Sequence, residues 1–395
     1  MRKKILIAIL VVPLLAACGS NYKSPSEKQL ASKRWNDARS NVLLGLARDQ
    51  YSNGNFTNSR LTVDQALKMT PDNPQARVLS AKLDIESGQL EAAERELNLA
   101  RSLDTNSAEA DYLSGVVYQR WQQPEHALEF YQHACDKSPA ELAYLIAKAE
   151  MMVAMDRRAE ALTLLQAKVT YFEHSAVIRD EVGLLLQQEG RYDESVEMLR
   201  RASILAPDEP TIREHLAMAL FDQKKFAECA EILEPLIKEE HFTHRGALLL
   251  TLGECQMEIS RAGDAVYNFQ QATELLPASA GAWLSLARAQ LQTDEFPQCE
   301  ISLKRCIALD AHSNQAFLLL GYLNLRQGRN RESLEAFSKA TELVPTDTVS
   351  LCMVGVALQK LGRNGQALEC YEHVLKLKPR DEMATELMAR LDLHE

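Results

Sequence analysis

The feature that most constrains this chain is an internal period of 34 residues. A row of small residues recurs at that spacing, with a single step of 36 between its sixth and seventh members. The row consists of Ala47, Ala81, Gly115, Ala149, Gly183, Ala217, Gly253, Ala287, Gly321 and Gly355. Self-similarity at a fixed period of roughly 20 to 50 residues is typical of repeat proteins. The 395 residues therefore predict a linear stack of about ten units, and not two or three globular domains.

Two further rows run in phase with the first. A second small residue stands 12 positions after each member of the first row. A bulky apolar residue stands 16 positions after the same first-row member. The second row consists of Ser59, Ala93, Ala127, Ala161, Ser195, Cys229, Ala265, Cys299, Ser333 and Ala367. The third row consists of Val63, Leu97, Tyr131, Leu165, Leu199, Leu233, Phe269, Leu303, Phe337 and Tyr371. The rows predict one antiparallel helix pair per unit. Small residues let the two backbones approach, and the bulky row fills the groove between neighbouring units.

Turn residues separate these predicted helices. Glycine stands where the first helix of a pair would end, at Gly88, Gly190, Gly328 and Gly362. Units end where proline prevents a helix from continuing, at Pro71, Pro139, Pro207, Pro277, Pro345 and Pro379. The chain has only 16 Gly and 13 Pro, which fits a helical fold punctuated at these sites.

The repeat resembles the tetratricopeptide repeat family. Its pattern is carried by Tyr112, Gly115, Tyr118, Ala127, Tyr131, Ala134 and Pro139, and again by Trp283, Leu286, Ala287 and Leu303. The resemblance covers about residues 40–379. It implies an all-α, right-handed α-solenoid of about ten helix-turn-helix repeats with a C-terminal capping helix. The fourth repeat departs from the pattern at Lys148, Lys168 and Glu173, which weakens its packing.

The expected domain organisation follows from the one break in period. Pro235 falls inside the predicted second helix of repeat six, and two extra residues lie within 238–244. We expect an irregular joint there, between repeats one to six (40–245) and repeats seven to ten (246–379). A tolerated loop insertion is the alternative. Residues 380–395 are expected to form the capping helix.

The N-terminus has the pattern of an export signal. Three basic residues precede the apolar run Ile5 to Leu15, which is too short for a spanning helix. The run ends in Leu15-Ala16-Ala17-Cys18, which resembles the bacterial lipobox. The resemblance implies removal of the signal peptide 1–17 and lipidation of Cys18. An ordinary signal peptide with a chance cysteine is the alternative.

The lipobox resemblance also implies a location. Gly19 is not the Asp that retains such lipoproteins in the inner membrane, which implies an outer-membrane lipid anchor facing the periplasm. Residues 18–39 would then hold the lipidated cysteine, a short tether and a leading helix. Ser26 and Gln29 predict a capping box at the start of that helix.

Seven cysteines follow Cys18. Cys229 and Cys299 stand in the second small row, and Cys306 stands where most units have alanine. We interpret these three as small buried packing residues. The seven are an odd number, so at least one stays unpaired in a monomer, and the sequence leaves the pairing of the others open.

The sequence carries no pattern typical of an enzyme, a cofactor site or a nucleic-acid binder. There is no Gly-rich phosphate loop, nucleophile elbow or zinc-protease helix motif. His241 and His244 beside Glu239 lack a second pair of metal ligands, so we interpret them as a solvated loop. The 44 basic against 55 acidic residues argue against binding to a phosphate backbone. We expect no catalytic residue, no cofactor and no metal.

We expect the concave face of the solenoid to bind protein partners, because the first helices of tetratricopeptide repeats line such a face. Family geometry places there Tyr112, Ile146, Met218, Phe221, Met257, Leu284, Leu291, Tyr322 and Leu325. Such apolar residues suit an extended peptide or an amphipathic helix, or else pack between repeats and only graze solvent. Some chaperone-binding tetratricopeptide repeats hold the C-terminal carboxylate of a peptide with a set of Lys, Asn and Arg side chains. Lys82 alone on the concave face does not make such a set.

The expected function is that of a non-enzymatic, lipid-anchored scaffold in the bacterial cell envelope. The chain resembles tetratricopeptide lipoproteins that assist assembly of pili, secretion channels or outer-membrane machines. Adaptors or regulators of peptidoglycan enzymes would use the same surface. An enzyme or a carbohydrate-binding module would require a polar cleft with convergent carboxylates.

Overall fold

The computed structural model describes residues 26–239 and 245–392, and within these ranges every regular element is an α-helix. The first seven helices are α1 (Glu27–Ser52), α2 (Phe56–Met69), α3 (Pro74–Glu86), α4 (Leu90–Leu103), α5 (Ala108–Arg120), α6 (Pro124–Lys137) and α7 (Leu142–Ala154). The next seven are α8 (Arg158–Gln166), α9 (Ala176–Gln188), α10 (Tyr192–Leu205), α11 (Pro210–Asp222), α12 (Phe226–Leu236), α13 (Arg245–Glu258) and α14 (Ala262–Leu275). The last seven are α15 (Ala280–Gln292), α16 (Phe296–Leu309), α17 (Asn314–Arg326), α18 (Asn330–Leu343), α19 (Thr348–Lys360), α20 (Asn364–Leu377) and α21 (Glu382–Asp392). The predicted all-helical repeat fold is confirmed.

The helices fall into two compact units that divide between Arg157 and Arg158, inside the fourth repeat. The second helix of that repeat, α8, has nine residues, whereas most second helices have 14. Lys168 stands where other repeats bury a small residue such as Ala100, Ala134 or Ala202. Because an unpaired ammonium group cannot be buried at low cost, the helix ends before it and turns follow. The sequence departure in this repeat therefore shortens a helix.

In the five repeats with glycine in the first row, the helix pair is held by close contact between the first-row and third-row residues of the same repeat. An alanine Cβ at Gly253 would lie 2.5 Å from Cε1 of Phe269 and 2.8 Å from Cδ1. Gly115, Gly183, Gly321 and Gly355 are covered by their bulky partners in the same way. The bulky row thus packs first within its own repeat, and Phe337 also contacts Met353 and Ala357 of the next one.

The identity of the small residue follows the size of its partner. Glycine pairs with Tyr131, Phe269, Phe337 and Tyr371, and once with Leu199. The five repeats with alanine in the first row carry Val63, Leu97, Leu165, Leu233 and Leu303. An aromatic ring needs the space that a missing Cβ leaves, whereas a valine or leucine side chain leaves room for the methyl group of alanine.

The second small row satisfies the backbone at the same close approach. Four of the five Ser and Cys residues of this row donate to the carbonyl oxygen of the first-row residue 12 positions earlier, and Cys229 is hydrogen-bonded to the thiol of Cys255 instead. These distances are 2.7 Å for Ser59–Ala47, 2.7 Å for Ser195–Gly183, 3.2 Å for Cys299–Ala287 and 2.9 Å for Ser333–Gly321. The small residues therefore serve both as spacers and as donors to helix carbonyls.

The turns within repeats pass through the left-handed backbone region. Gly88, Gly190, Gly328 and Gly362 have φ angles of 75°, 74°, 72° and 75° there, as their predicted C-cap positions require. Residues with side chains take the same conformation in other repeats, at Gln122, Asp156, Lys224, Ser260 and Asp294. The turn geometry is thus conserved between repeats even where the glycine is not.

The helix beside the predicted joint ends early. Pro235 lies in the last turn of α12, which has 11 residues and is capped at Ile237. Residues 240–244 lie outside the described part of the chain. One cluster of buried residues nevertheless runs from Val196 on α10 to Ala272 on α14, through Leu233 on α12 and Leu249 on α13. The proposed boundary at 245/246 stays a prediction.

The two chain ends differ. At the C-terminus, α21 packs Ala384 with Tyr371 and Val374 of the last repeat, so the predicted capping helix is present. At the other end, α1 begins with the predicted capping box between Ser26 and Gln29. Residues 1–25, with the predicted signal peptide and Cys18, lie outside the described residues. None of the helices in residues 26–239 and 245–392 is both long and apolar enough to span a membrane.

Candidate protein-binding groove

The predicted partner residues occupy corresponding places on the first helices of their repeats. Each stands three residues before, one residue after or four residues after the first-row small residue, which places them on one helix face. All nine are half-buried: Tyr112, Ile146, Met218, Phe221, Met257, Leu284, Leu291, Tyr322 and Leu325. We call this set the groove row. Its role in binding stays a prediction.

Most of the groove row is fixed by packing. Leu284 and Leu291 contact the cluster around Cys299 and Leu303, and Tyr322 and Leu325 contact the cluster around Phe337. Tyr112, Phe221 and Met257 likewise pack against buried clusters of their own repeats. These side chains are therefore ordered while part of each stays accessible to solvent.

In the first compact unit an aromatic cluster surrounds Tyr112 of the groove row. The ring of Tyr112 stacks on Tyr144 at a centroid distance of 4.8 Å and lies 5.6 Å from the ring of Tyr131. The Tyr131 hydroxyl donates to Oε1 of Gln119 at 2.5 Å. Burial, with a smaller contribution from the Glu150 carboxylate, raises the pKa of Tyr112. The phenols therefore stay neutral and act as hydrogen-bonding, stacking surfaces.

Tyr144 was not predicted as a groove residue. Other repeats have small or aliphatic residues at its position, such as Ala110 and Ile178, so the 34-residue period gave no indication of an aromatic partner for Tyr112. The one available sequence signal was that Tyr144 is large and aromatic at a position where other repeats have a small or aliphatic residue.

Lys82 is already engaged. Its ammonium group forms an ion pair with Glu109 and lies 6.0 Å from the centre of the Tyr51 ring. The same residues, with Arg48, Gln75, Val78 and Leu79, line a cleft of about 350 Å³. The Lys82 ammonium group is therefore already paired with a carboxylate of the same chain.

In the second compact unit a charged pair lies beside the groove row. Nδ1 of His215 on α11 is 2.9 Å and 3.0 Å from the two carboxylate oxygens of Asp180 on α9. The hydrogen bond to Asp180 raises the pKa of His215, against the opposing effect of burial. His215 precedes Met218 and Phe221 on the same helix, so a titratable group borders the apolar row.

The His215–Asp180 pair was also missed. The two residues are 35 positions apart, and first-helix residues about one period apart lie on adjacent parallel helices. A search for opposite charges separated by 34 to 36 residues on first helices would have found it.

The cysteines of the second compact unit are packing residues. Cys229, Cys299 and Cys306 are fully buried, as predicted. Cys255 is buried in the same cluster as Cys229, and the hydrogen bond between the two thiols, with burial, raises the pKa of Cys229. No disulfide joins the described cysteines of this unit.

No group of three or more His, Cys, Asp or Glu in residues 26–239 and 245–392 is placed to hold a metal ion. His241 and His244 lie outside these ranges. The clefts of the described chain are lined by mixed polar and apolar residues of neighbouring helices, as in the one formed by Arg60, Leu61, Asp84 and Gln89.

Comparison with known proteins identifies the repeat. Two family models of the tetratricopeptide repeat match, one at residues 50–115 and 186–253 and the other at residues 349–381. The anaphase-promoting complex subunit 3 of Schizosaccharomyces pombe is 20% identical over 226 residues, covering 57% of this chain and 34% of that protein. The protein CTR9 homolog of Arabidopsis thaliana is 22% identical over 338 residues, covering 80% of this chain and 30% of that protein. The chain thus matches about a third of the length of these curated relatives.

A solved structure shows the same architecture. The C-terminal part of a repeat-containing protein from Cytophaga hutchinsonii superposes with a TM-score of 0.51 at 12% identity, covering 60% of this chain and 97% of that one. At this identity the likeness concerns the fold alone. The matched families describe a repeat and no catalytic family. The chain therefore contains tetratricopeptide repeats within an all-helical repeat fold.

Proposed function

We propose that the protein is a non-enzymatic, lipid-anchored scaffold that binds protein partners in the bacterial cell envelope. Assembly of a pilus, a secretion channel or an outer-membrane machine is the kind of process that it would serve. Tetratricopeptide repeats are scaffolds for protein partners, and the Leu-Ala-Ala-Cys sequence ending at Cys18 supports the anchor.

The observation that carries the proposal is the half-buried state of the groove row. A fully buried row would have no accessible surface for a partner to contact. A fully exposed row would form a large apolar patch, which folded soluble proteins rarely leave uncovered. Most of these side chains are packed on buried clusters, so covering them with a partner costs little side-chain entropy in the scaffold. A row ordered in advance suits an amphipathic helix or an extended peptide.

The groove is tested by photo-crosslinking in intact envelopes. A photoreactive amino acid is placed at Met218 in the groove row, with Ile204 on α10 as the control position, because Ile204 is 73% exposed and on a second helix. We expect protein crosslinks from position 218 that are absent from position 204. Identical crosslinks from both positions would refute the groove.

A substitution pair supports the same test. Phe221→Glu and Met257→Glu are expected to remove the partner crosslinked at position 218, while Ile204→Glu leaves it in place. Because Phe221 packs on buried residues, the variants are first checked by circular dichroism and thermal unfolding. Loss of the partner with an unchanged melting curve supports the proposal.

The anchor is tested separately. Cys18→Ala is expected to abolish the mass of the acyl groups and to move the protein from the membrane fraction. Persistent membrane association of this variant would contradict lipidation as the anchor while leaving the groove test unaffected.

A further inference from the structure

The N-terminal helix α1 presents an apolar face that no element of the described chain covers. Val42 is 73% exposed, Leu46 is 48% exposed and Trp35 is 68% exposed. The three residues are spaced by seven and four positions, which places them on one side of the helix. The opposite side carries Ser40, Leu44 and Ala47, which are buried in the first repeat. We call the exposed side the α1 face.

Later repeats show what this face normally does. Val42 and Leu46 stand five and one positions before the first-row residue. In four repeats of the second compact unit the same two positions are at most 5% exposed, in Ile178 and Val182, Ile212 and Leu216, Leu248 and Leu252, and Ala282 and Leu286, while Leu320 and Val354 in the last two repeats are half-buried. Leu286 packs there on Val266 and Phe269 of the preceding helix, α14. The α1 face is therefore equivalent to a packing surface, and the described residues 26–239 and 245–392 include no helix that precedes it.

The charge around this face is unlike that of the rest of the chain. Lys28 and Arg39 stand seven positions before and four positions after Trp35, on the same side, and both are exposed. Residues 27–39 contain four basic and two acidic residues, a net charge of +2, in a chain of net charge −11. An exposed tryptophan flanked by basic side chains is typical of helices at a membrane interface, where anionic headgroups attract the cations.

The face also lies close to the proposed anchor. Cys18 and the first residue of α1, Glu27, are nine residues apart, which allows a separation of at most about 30 Å at full extension. Trp35 is eight residues further along the helix, about 12 Å. An acyl chain on Cys18 would hold this end of the protein, and no other, within reach of the headgroups.

We propose that the α1 face lies on the headgroup region of the anchoring membrane, with Trp35 and Val42 against lipid and Lys28 and Arg39 on anionic headgroups. This inference rests on the lipid anchor of the proposed function. A second copy is a poorer occupant, because an isologous contact through α1 would bring two sets of the same basic residues together. The last repeat needs no such cover, since α21 already packs on it.

The test uses the mature lipidated chain reconstituted into vesicles of phosphatidylethanolamine and phosphatidylglycerol with brominated acyl chains. Bromine quenches tryptophan emission only near the bilayer, and Trp35→Phe gives the background from Trp121 and Trp283. We expect the Trp35 emission to be quenched at least twofold. Val42→Glu should remove most of this quenching, whereas the matched control Ile204→Glu, at an equally exposed β-branched residue, should leave it unchanged. Lys28→Glu with Arg39→Glu should reduce quenching on these vesicles and not on neutral phosphatidylcholine vesicles.

Three results would overturn the inference in distinguishable ways. A chain that floats with the vesicles while Trp35 stays unquenched would refute the membrane contact and leave the anchor standing. A chain that neither floats nor carries acyl mass would remove the anchor and this inference with it. A dimer in detergent that Val42→Glu dissociates would show that a second copy covers the face.

Discussion

The match between glycine and aromatic partners makes a sharp prediction in the seventh repeat. In Gly253→Ala the new Cβ would lie 2.5 Å from Cε1 of Phe269, and the ring is fully buried and cannot turn away. Overpacking of this kind lowers the free energy of unfolding by about 1–3 kcal/mol. The higher helix propensity of alanine relative to glycine raises it by about 1 kcal/mol. We expect Gly253→Ala to lower the free energy of unfolding by about 1.5 kcal/mol.

The second substitution tests the cause. Phe269→Leu alone leaves a void beside Gly253 and should cost about 1.5 kcal/mol. The double variant recreates the Ala/Leu pair that Ala287 and Leu303 form in the next repeat, so it removes the clash and the void together. We expect it to be about 0.5 kcal/mol less stable than the parent, which is a coupling of about 2.5 kcal/mol between the two sites.

The cycle is measured by urea unfolding together with hydrogen exchange of the amides in α13 and α14, because repeat proteins need not unfold in one step. The reverse exchange in the eighth repeat is the matched control. Leu303→Phe should destabilise, and Ala287→Gly should rescue it. Additive effects in both repeats would refute the reasoning that the missing Cβ makes room for the ring.

Three further predictions concern a turn, a charged pair and a thiol. Lys224→Gly should raise the free energy of unfolding by about 0.5–1 kcal/mol, since Lys224 has a φ of 62°; a urea titration checks this. Asp180 raises the pKa of His215, so their pairing should stabilise the fold fully below about pH 6 and lose this effect as the pH rises through the raised pKa. The Asp180→Asn variant should have a lower His215 pKa than the parent, which an NMR titration of His215 measures. Burial raises the pKa of Cys299 to about 12, so iodoacetamide at pH 8 should alkylate it only after unfolding, as mass spectrometry would show.

The sequence was sufficient for the architecture because the repeat is encoded locally. Every helix pair needs a small residue, a second small residue 12 positions later and a bulky residue 16 positions later, and these spacings are visible without any tertiary information. The rule that glycine accompanies an aromatic residue is equally local, but it becomes evident only when Phe269 is seen against Gly253.

The candidate groove was less accessible to prediction, for physical reasons. The period shows which residues share a helix face, as for Met218 and Phe221, and it does not show how much of each side chain its neighbours cover. The stacking of Tyr112 on Tyr144 depends on one residue that breaks the pattern of its own position. The early end of α8 required knowing that a lysine could not enter the place of a buried alanine.

The size match within each repeat also bears on how such a chain can change over generations. The two partners are separated by 16 residues, so a genetic crossover inside a helix pair would join an alanine from one repeat to an aromatic ring from another. A crossover in the turn between repeats would keep every pair intact. Whole units can therefore be duplicated, lost or exchanged with little damage to packing. A crossover that cuts a repeat in two keeps the packing only when both repeats have the same kind of pair, either glycine with an aromatic residue or alanine with an aliphatic one. The whole repeat is therefore the unit that is most easily exchanged.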